Sequence, residues 1–248
     1  MNSKRLQDKV VVIVGAGGLL GQEFVRAVVA EGGLAAAADL QKPAAVSGVH
    51  PVDVDITSED SVERMVADLQ KKFGRIDAVV NAAYPKNDRY GEAFEKLSYK
   101  DFCENVNLHL GGYFLVCQRM ALFFKRQGRG NIVNVASIYA TATPRFEIYE
   151  GTSMTVPVEY AAIKAGIVQM SRYLARYFKD WNVRVNCISP GGILNGQPQA
   201  FLERYNAFGK TKGMLDKADL NGTLVFLLSD ASSFVNGQNI IVDDGWTL

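Results

Sequence analysis

The sequence predicts an α/β protein, with one parallel, doubly wound sheet and helices on both faces. Three observations carry this. The β-branched run Val10-Val11-Val12-Ile13-Val14 passes straight into a glycine-rich turn and then a helical pattern. Apolar runs recur down the chain, as expected of strands buried on both faces. Amphipathic stretches lie between them, and such alternation implies parallel pairing through crossover helices. With 248 residues, the chain suits a single domain over 1–248.

After the first strand comes Gly15-Ala16-Gly17-Gly18-Leu19-Leu20-Gly21, then a helix through Phe24, Val25, Val28 and Val29, closed by Gly32-Gly33. Strand, glycine turn and helix form the setting of a dinucleotide-binding turn, where phosphates approach the backbone at a helix N-terminus. A plain tight turn is the alternative. A second strand, Leu34 to Ala38, ends at Asp39. A carboxylate there accepts bonds from both hydroxyls of an adenine ribose and repels a 2′-phosphate, which favours NAD over NADP. The alternative for Asp39 is a strand-end turn residue.

Residues 41–50 read as short and irregular, with His50 a loop residue. Val52 to Thr57 reads as the third strand and its exit. Ser58 to Lys72 is helical, with Val62, Met65, Val66 and Leu69 on one face and Thr57 or Ser58 as cap. Ile76 to Val80 is the fourth strand, left through Asn81-Ala82-Ala83-Tyr84-Pro85, and a polar, aromatic loop follows to Tyr99. One helix is expected from about Lys100 to Gln127. Asn131 to Val135 is the fifth strand, with Ala136-Ser137 at its end. Residues 141–157 are irregular. A helix from Glu159 follows, then a strand over Val183 to Ile188 and the loop Ser189-Pro190-Gly191-Gly192. Residues 195–216 are mixed, Lys217 to Leu228 is helical, and Gln238 to Val242 is the last strand.

On the helix from Glu159, Tyr160 and Lys164 stand four apart and project from one face. A lysine ammonium beside a phenol favours the phenolate, and a phenol so tuned can exchange a proton with a carbonyl or alcohol. Alone, the pair is also what a solvated helix face looks like; the glycine turn, Asp39 and Ser137 give it weight.

The net charge of +1 offers no electrostatic reason for a nucleic-acid partner. Cys103, Cys117 and Cys187 lack metal-ligand spacing and read as buried free thiols, so no metal is expected and a reducing compartment fits. No apolar run is long enough to span a bilayer, and the polar stretch from Met1 to Lys9 has no signal-peptide pattern. These features point to a soluble, cytoplasmic protein.

These pieces, in this order, resemble the short-chain dehydrogenase/reductase family across nearly the whole chain. The most specific are Asn134-Val135-Ala136-Ser137, Tyr160-x-x-x-Lys164 and Arg184-Val185-Asn186-Cys187-Ile188-Ser189-Pro190-Gly191. The resemblance implies a single Rossmann domain and NAD(P)-dependent hydride transfer between an alcohol and a ketone. It implies that Ser137 polarises the substrate oxygen and that Tyr160 is the general acid/base. It gives Lys164 the tasks of binding the nicotinamide ribose and lowering the tyrosine's pKa. Cofactor contacts carry over to Gly15, Gly18, Leu20 and Gly21 in the turn, and to Asp39 at the ribose. Asp55, Ile56 and Asn81 follow toward the adenine and the fourth strand exit, with Pro190, Gly191 and Ile193 near the nicotinamide. A helix cap is the alternative for Ser137. The resemblance also implies a homodimer or homotetramer built on the helices at 100–127 and 159–178.

Several positions depart from the family pattern. Val14 and Leu19 replace a threonine and a glycine of the usual turn, and Tyr84 brings a ring where the family has bare backbone. An ungapped register from Phe102 to Phe114 sets His109 at the position of the family's catalytic asparagine; Asn107, two residues earlier, would match only if the helix shifted, and a packing histidine is the alternative for His109. The serine-to-tyrosine spacing is long, and its extra residues offer Arg145, Glu147 and Tyr149 as substrate contacts, with Tyr84 from the fourth-strand exit; the loops 141–157 and 195–216 read as the substrate side. A surface insertion or oligomer contact is equally open for that stretch. Three segments, around Tyr84, around His109 and from Pro144 to Pro157, are similar to a bacterial branch found with flagellin modification and legionaminic-type sugar pathways. That implies an amino-sugar or nucleotide-sugar substrate. Two other functions fit the same residues: a sugar epimerase or dehydratase with tightly bound NAD, and a catalytically retired, NAD-responsive binding protein.

Overall fold

A computed structural model describes residues 4–41 and 47–248. The polar chain start at 1–3 and part of the irregular stretch 41–50 lie outside the described residues. Seven parallel strands form one sheet in the order β3-β2-β1-β4-β5-β6-β7. They are β1 (Val10–Val14), β2 (Leu34–Asp39), β3 (Val49–Asp53), β4 (Ala78–Asn81), β5 (Gly130–Val135), β6 (Val183–Pro190) and β7 (Asn239–Val242). The helices are α1 (Leu19–Ala30), α2 (Glu59–Phe73), α3 (Tyr99–Val106), α4 (Gly112–Gln127), α5 (Val158–Tyr177), α6 (Gln199–Asn206) and α7 (Asn221–Leu228).

Strand periodicity explains the layers. Side chains alternate between faces along a strand. Val12 and Val14 of β1 therefore join one core with residues of α2 and α4, and Val11 and Ile13 join another with α1 and α7. Each such aliphatic side chain taken fully from water contributes about 1.5–3 kcal/mol. On β2, Ala35 and Ala37 face one core and Ala36 and Ala38 the other. Both faces are covered, so the apolar runs need no polar alternation. β1 pairs with β2 on one side and β4 on the other. The strand order reverses there, and a crevice opens at the carboxyl ends.

The structure corrects three local readings. The third strand begins at Val49 and ends at Asp53, so His50 and Pro51 belong to it and residues 54–57 form its exit. Pro51 disguised the strand; it is tolerated because β3 is an edge. The helix expected over 100–127 is interrupted by one π-helical turn, Asn107–Gly111. Cys103 is exposed on α3, whereas Cys117 and Cys187 are buried, and all three are free. Among the described residues no helix is long and apolar enough to cross a membrane.

Candidate active site

One cleft of about 1000 Å³ runs along the carboxyl ends of the strands. Its first half is built from the glycine turn. Gly15 has φ +81°, and a Cβ there would stand 2.5 Å from the Ala83 nitrogen on the β4 exit. Only glycine suits both demands. Gly21 seats α1 on the turn, since a Cβ there would meet the Gly15 oxygen at 1.9 Å. Gly18 caps α1 without any side-chain bond, and Leu19 and Leu20 face the cleft, so the first-turn amides meet no capping side chain. Such an end suits phosphate. Asp39 also lines the cleft; it accepts from Gly17 N and Leu40 N, each at 2.8 Å. Asp55 follows β3 and accepts from Thr57 N (2.8 Å) and Thr57 Oγ1 (2.7 Å). A bare-backbone turn, an uncapped helix end and a carboxylate at the end of β2 fit a dinucleotide.

The second half gathers around Tyr160. Ser137 stands two residues past the end of β5, and its Oγ accepts from Tyr139 N at 3.2 Å. Lys164, one turn along α5 from Tyr160, is 3% exposed, and its Nζ donates to Val135 O at 2.9 Å. The same Nζ lies 5.7 Å from the Tyr160 ring centroid. Burial pulls the Lys164 ammonium down to about 7. Burial likewise holds the Tyr160 phenol above the usual tyrosine range, and a hydrogen bond with Ser137 opposes this. Ser137 is thus a neighbour that favours the phenolate.

His109 sits on the π-turn, 1% exposed, its ring centroid 5.1 Å from that of Tyr84 and 5.2 Å from that of Tyr113. Neither ring nitrogen meets a protein partner. Burial first, and the Lys164 charge second, push its pKa down to about 2, so the ring is neutral. Tyr84 stands edge-on to Tyr160 at 5.9 Å, with its hydroxyl 2.7 Å from that of Tyr90. Tyr139 flanks Tyr160 at 6.4 Å on a near-perpendicular ring, and its hydroxyl is 3.0 Å from that of Tyr149.

The outer wall is pinned by the chain's end. Trp246 stacks on Tyr205 at 5.0 Å and donates from Nε1 to Tyr205 O at 3.2 Å. Tyr205 OH accepts from Gly192 N, tying α6 to the loop after β6. Asp244 accepts from Thr211 N, Thr211 Oγ1, Lys212 N and Gly213 N. Those bonds hold a non-glycine residue at φ +57°.

Of the residues singled out in the sequence, Gly15, Gly18, Leu20, Asp39, Asp55, Ile56, Pro190, Gly191 and Ile193 line the cleft. So do Ser137, Tyr160, Lys164, Tyr84 and Tyr149. Gly21, Asn81, His109, Arg145 and Glu147 stand outside its lining. Asn81 is buried and donates to Asn134 Oδ1 at 2.7 Å, joining β4 to β5. The Arg145 guanidinium lies 4.1 Å from the Phe208 ring centroid, and Glu147 is exposed. Sequence reading missed Tyr139, Tyr205 and Trp246. Their aromatic character was visible, but contacts spanning 41 residues, as between Tyr205 and Trp246, leave no local pattern. Among the described residues no group of three or more His, Cys, Asp or Glu side chains is placed to hold a metal.

Comparison with known proteins agrees with this architecture. A family model described as enoyl-(acyl carrier protein) reductase matches residues 20–247. Post-translational flagellin modification protein A of Campylobacter coli is 40% identical over 98% of this chain and 100% of its own length. The 7alpha-hydroxysteroid dehydrogenase of Bacteroides fragilis is 29% identical over 98% of this chain and 96% of its own. A short chain dehydrogenase from Leptospira borgpetersenii, solved with bound NAD+, superposes with a TM-score of 0.90 at 32% identity, covering 99% of this chain and 95% of its own.

Proposed function

The chain belongs to the short-chain dehydrogenase/reductase family, and on that premise we propose reversible hydride transfer between NAD and a hydroxylated, sugar-related substrate. That it is an oxidoreductase acting on alcohol or ketone groups follows from its relatives. The single observation that carries the finer reading is one continuous cleft from the glycine turn and Asp39 to Ser137, Tyr160 and Lys164. A nicotinamide held in this cleft would supply or accept the hydride. The Gly15–Gly21 turn and the α1 N-terminus hold the phosphates, Asp39 the adenine ribose, and Asp55 with Ile56 the adenine. Pro190, Gly191 and Ile193 border the nicotinamide. The Asp39 carboxylate supports NAD over NADP, because it would repel a 2′-phosphate.

Ser137 and Tyr160 hydroxyls hold the reacting oxygen. During oxidation Tyr160 takes the alcohol proton, and during reduction it returns one. Lys164 holds positive charge beside the phenolate as it forms. His109, neutral and buried behind Tyr84, keeps a hydrogen-bond-accepting nitrogen near Lys164. The likeness to the Campylobacter coli protein supports a sugar-related substrate. A homo-oligomer is supported by exposed apolar side chains on α4 and α5, among them Phe114, Leu122, Tyr173 and Tyr177. Free cysteines support work in a reducing, cytoplasmic setting.

The test is coenzyme binding followed by absorbance of NADH with a panel of secondary alcohols and sugars. NADH formed in step with oxidised product supports the proposal. An isomerised product without net NADH indicates an epimerase or dehydratase, and NAD binding without any conversion a binding protein.

A further inference from the structure

We propose that the part of the substrate seated in the cleft is an uncharged, multiply hydroxylated ring, and that Tyr139 and Tyr149 are its specificity-determining pair. This rests on the hydride-transfer reading and narrows it: free amino sugars, sugar acids and sugars carrying a seated pyrophosphate are excluded.

The first ground is where charge is and is not. Among the described residues the charged side chains lining the cleft are Asp39, Asp55 and Lys164. Asp39 ends β2, three strand positions from β5 and Ser137. At about 4.8 Å per strand this is roughly 14 Å from the reacting end. Asp55 lies one strand farther out, beyond β3. Lys164 is buried below Tyr160 and bonded to Val135 O. Beyond Tyr160 the lining includes Tyr139, Tyr149, Phe201, Tyr205, Met154 and Met214, and its other polar members, such as Asn195 and Gln197, are uncharged.

The second ground is that neighbouring charges are already engaged elsewhere. Arg145 lies over the Phe208 and Trp246 rings, at 4.1 and 5.2 Å from their centroids. Arg204 donates to Glu150 O. Glu159 is buried outside the cleft lining, with Oε1 accepting from Asn105 Nδ2 at 3.4 Å and Oε2 without a hydrogen-bond partner. Asp243 accepts from Gly245 N, Thr247 N and Thr247 Oγ1, and Asp244 from the 211–213 segment. Lys86 lies over the Tyr84 and Tyr90 rings, 5.7 and 5.6 Å from their centroids, and stands outside the lining. Beyond Tyr160 the lining itself offers an entering ammonium, carboxylate or phosphate no countercharge, which makes its burial there unfavourable.

The third ground is what the wall does offer. The Tyr139 and Tyr149 hydroxyls lie 3.0 Å apart. Burial holds both phenols above the usual tyrosine range, so they stay neutral and protonated. A hydroxyl pair spends one proton on itself and keeps the other proton and free lone pairs. It can therefore donate to one substrate hydroxyl and accept from a neighbouring one. Phe201, tilted against Tyr149 at 5.2 Å, gives an apolar face for ring C–H groups. Any amino group on such a ring must be acylated to enter uncharged.

The experiment uses the full chain with NAD and a matched set of pyranoses: glucose and N-acetylglucosamine against glucosamine, glucuronate and UDP-N-acetylglucosamine. The expected result is kcat/KM at least about tenfold higher for a neutral member than for any charged counterpart. Equal or greater kcat/KM for a charged member overturns the proposal and leaves hydride transfer standing. Bound NAD with no NADH from any member defeats the hydride-transfer reading and the proposal together. Tyr139→Phe and Tyr149→Phe form the second arm, with NAD binding on the same samples as the control for folding. Each should lower kcat/KM for the best neutral sugar relative to that for cyclohexanol by about 3–10-fold. An unchanged ratio in both variants removes the pair from that role.

Discussion

Ser137 and burial act in opposite directions on the Tyr160 phenol. Deleting the serine hydroxyl removes the opposing bond, so the phenol's pKa rises. In Ser137→Ala the pH at which alcohol oxidation reaches half its maximum should move upward, with kcat lower by ~10² or more. An unmoved limb in the pH–rate profile would remove Ser137 from this role. Lys164 gives a stability prediction. Burial lowers its pKa to about 7, so between about 7 and the ordinary lysine value near ~10.4 the unfolded chain binds more protons. Stability from this group therefore rises with pH across that window, and the penalty is complete below it. Lys164→Met should raise Tm more at about pH 6 than at about pH 9, read by calorimetry, and should abolish turnover. Ser137, Tyr160 and Lys164 were legible because strand-end and i,i+4 positions are local facts. Arg145 and Glu147 were not, because the short turn at Phe146–Tyr149 brings Tyr149 to the cleft while Arg145 stacks on Phe208.

At the scale of elements, the π-turn at Asn107–Gly111 is the feature that helical periodicity could not show. One extra residue in a turn changes the face that every later residue presents, and π-turns concentrate at functional sites. The ungapped register reached His109 and assigned it to the site; the fold sets it behind Tyr84. Its two ring nitrogens meet no protein partner, a desolvation cost that an apolar side chain would not carry. His109→Leu should therefore keep or raise Tm while kcat falls; a drop in Tm with unchanged kcat would make it a packing residue only. The second element is the carboxyl-terminal pin. Hydrogen bonds from Gly213 N, then from the Thr211 side chain and backbone, hold the Asp244 carboxyl well below the usual carboxylate range. Asp244→Gly suits the positive φ and removes only the acceptor. It should raise KM for the alcohol by about 3–10-fold with a much smaller change in NAD affinity. Equal losses for both ligands would contradict a role confined to the outer wall. Nothing within the sequence around Asp244 announced this pin, since its partners lie 31 to 33 residues away.

For the whole molecule, alternating apolar runs and helices were enough to read a doubly wound parallel sheet, because burial on both faces leaves continuous strands that only this architecture accommodates. Strand β3 was the exception, as an edge strand with Pro51 and a partly exposed pattern carries a weaker signal. The cleft followed from the same topology, since the order reverses between β2, β1 and β4 and the glycine turn lies there. Its outer half did not, because a wall of distant aromatics is assembled only when the chain end returns to α6. All of this serves one claim, that a phenol in this cleft exchanges the proton that accompanies hydride transfer. The most direct measurement is the turnover of Tyr160→Phe against the parent enzyme, with NADH affinity taken on the same preparations. The account predicts kcat lower by ~10²–10⁴ with NADH still bound; undiminished turnover would contradict it.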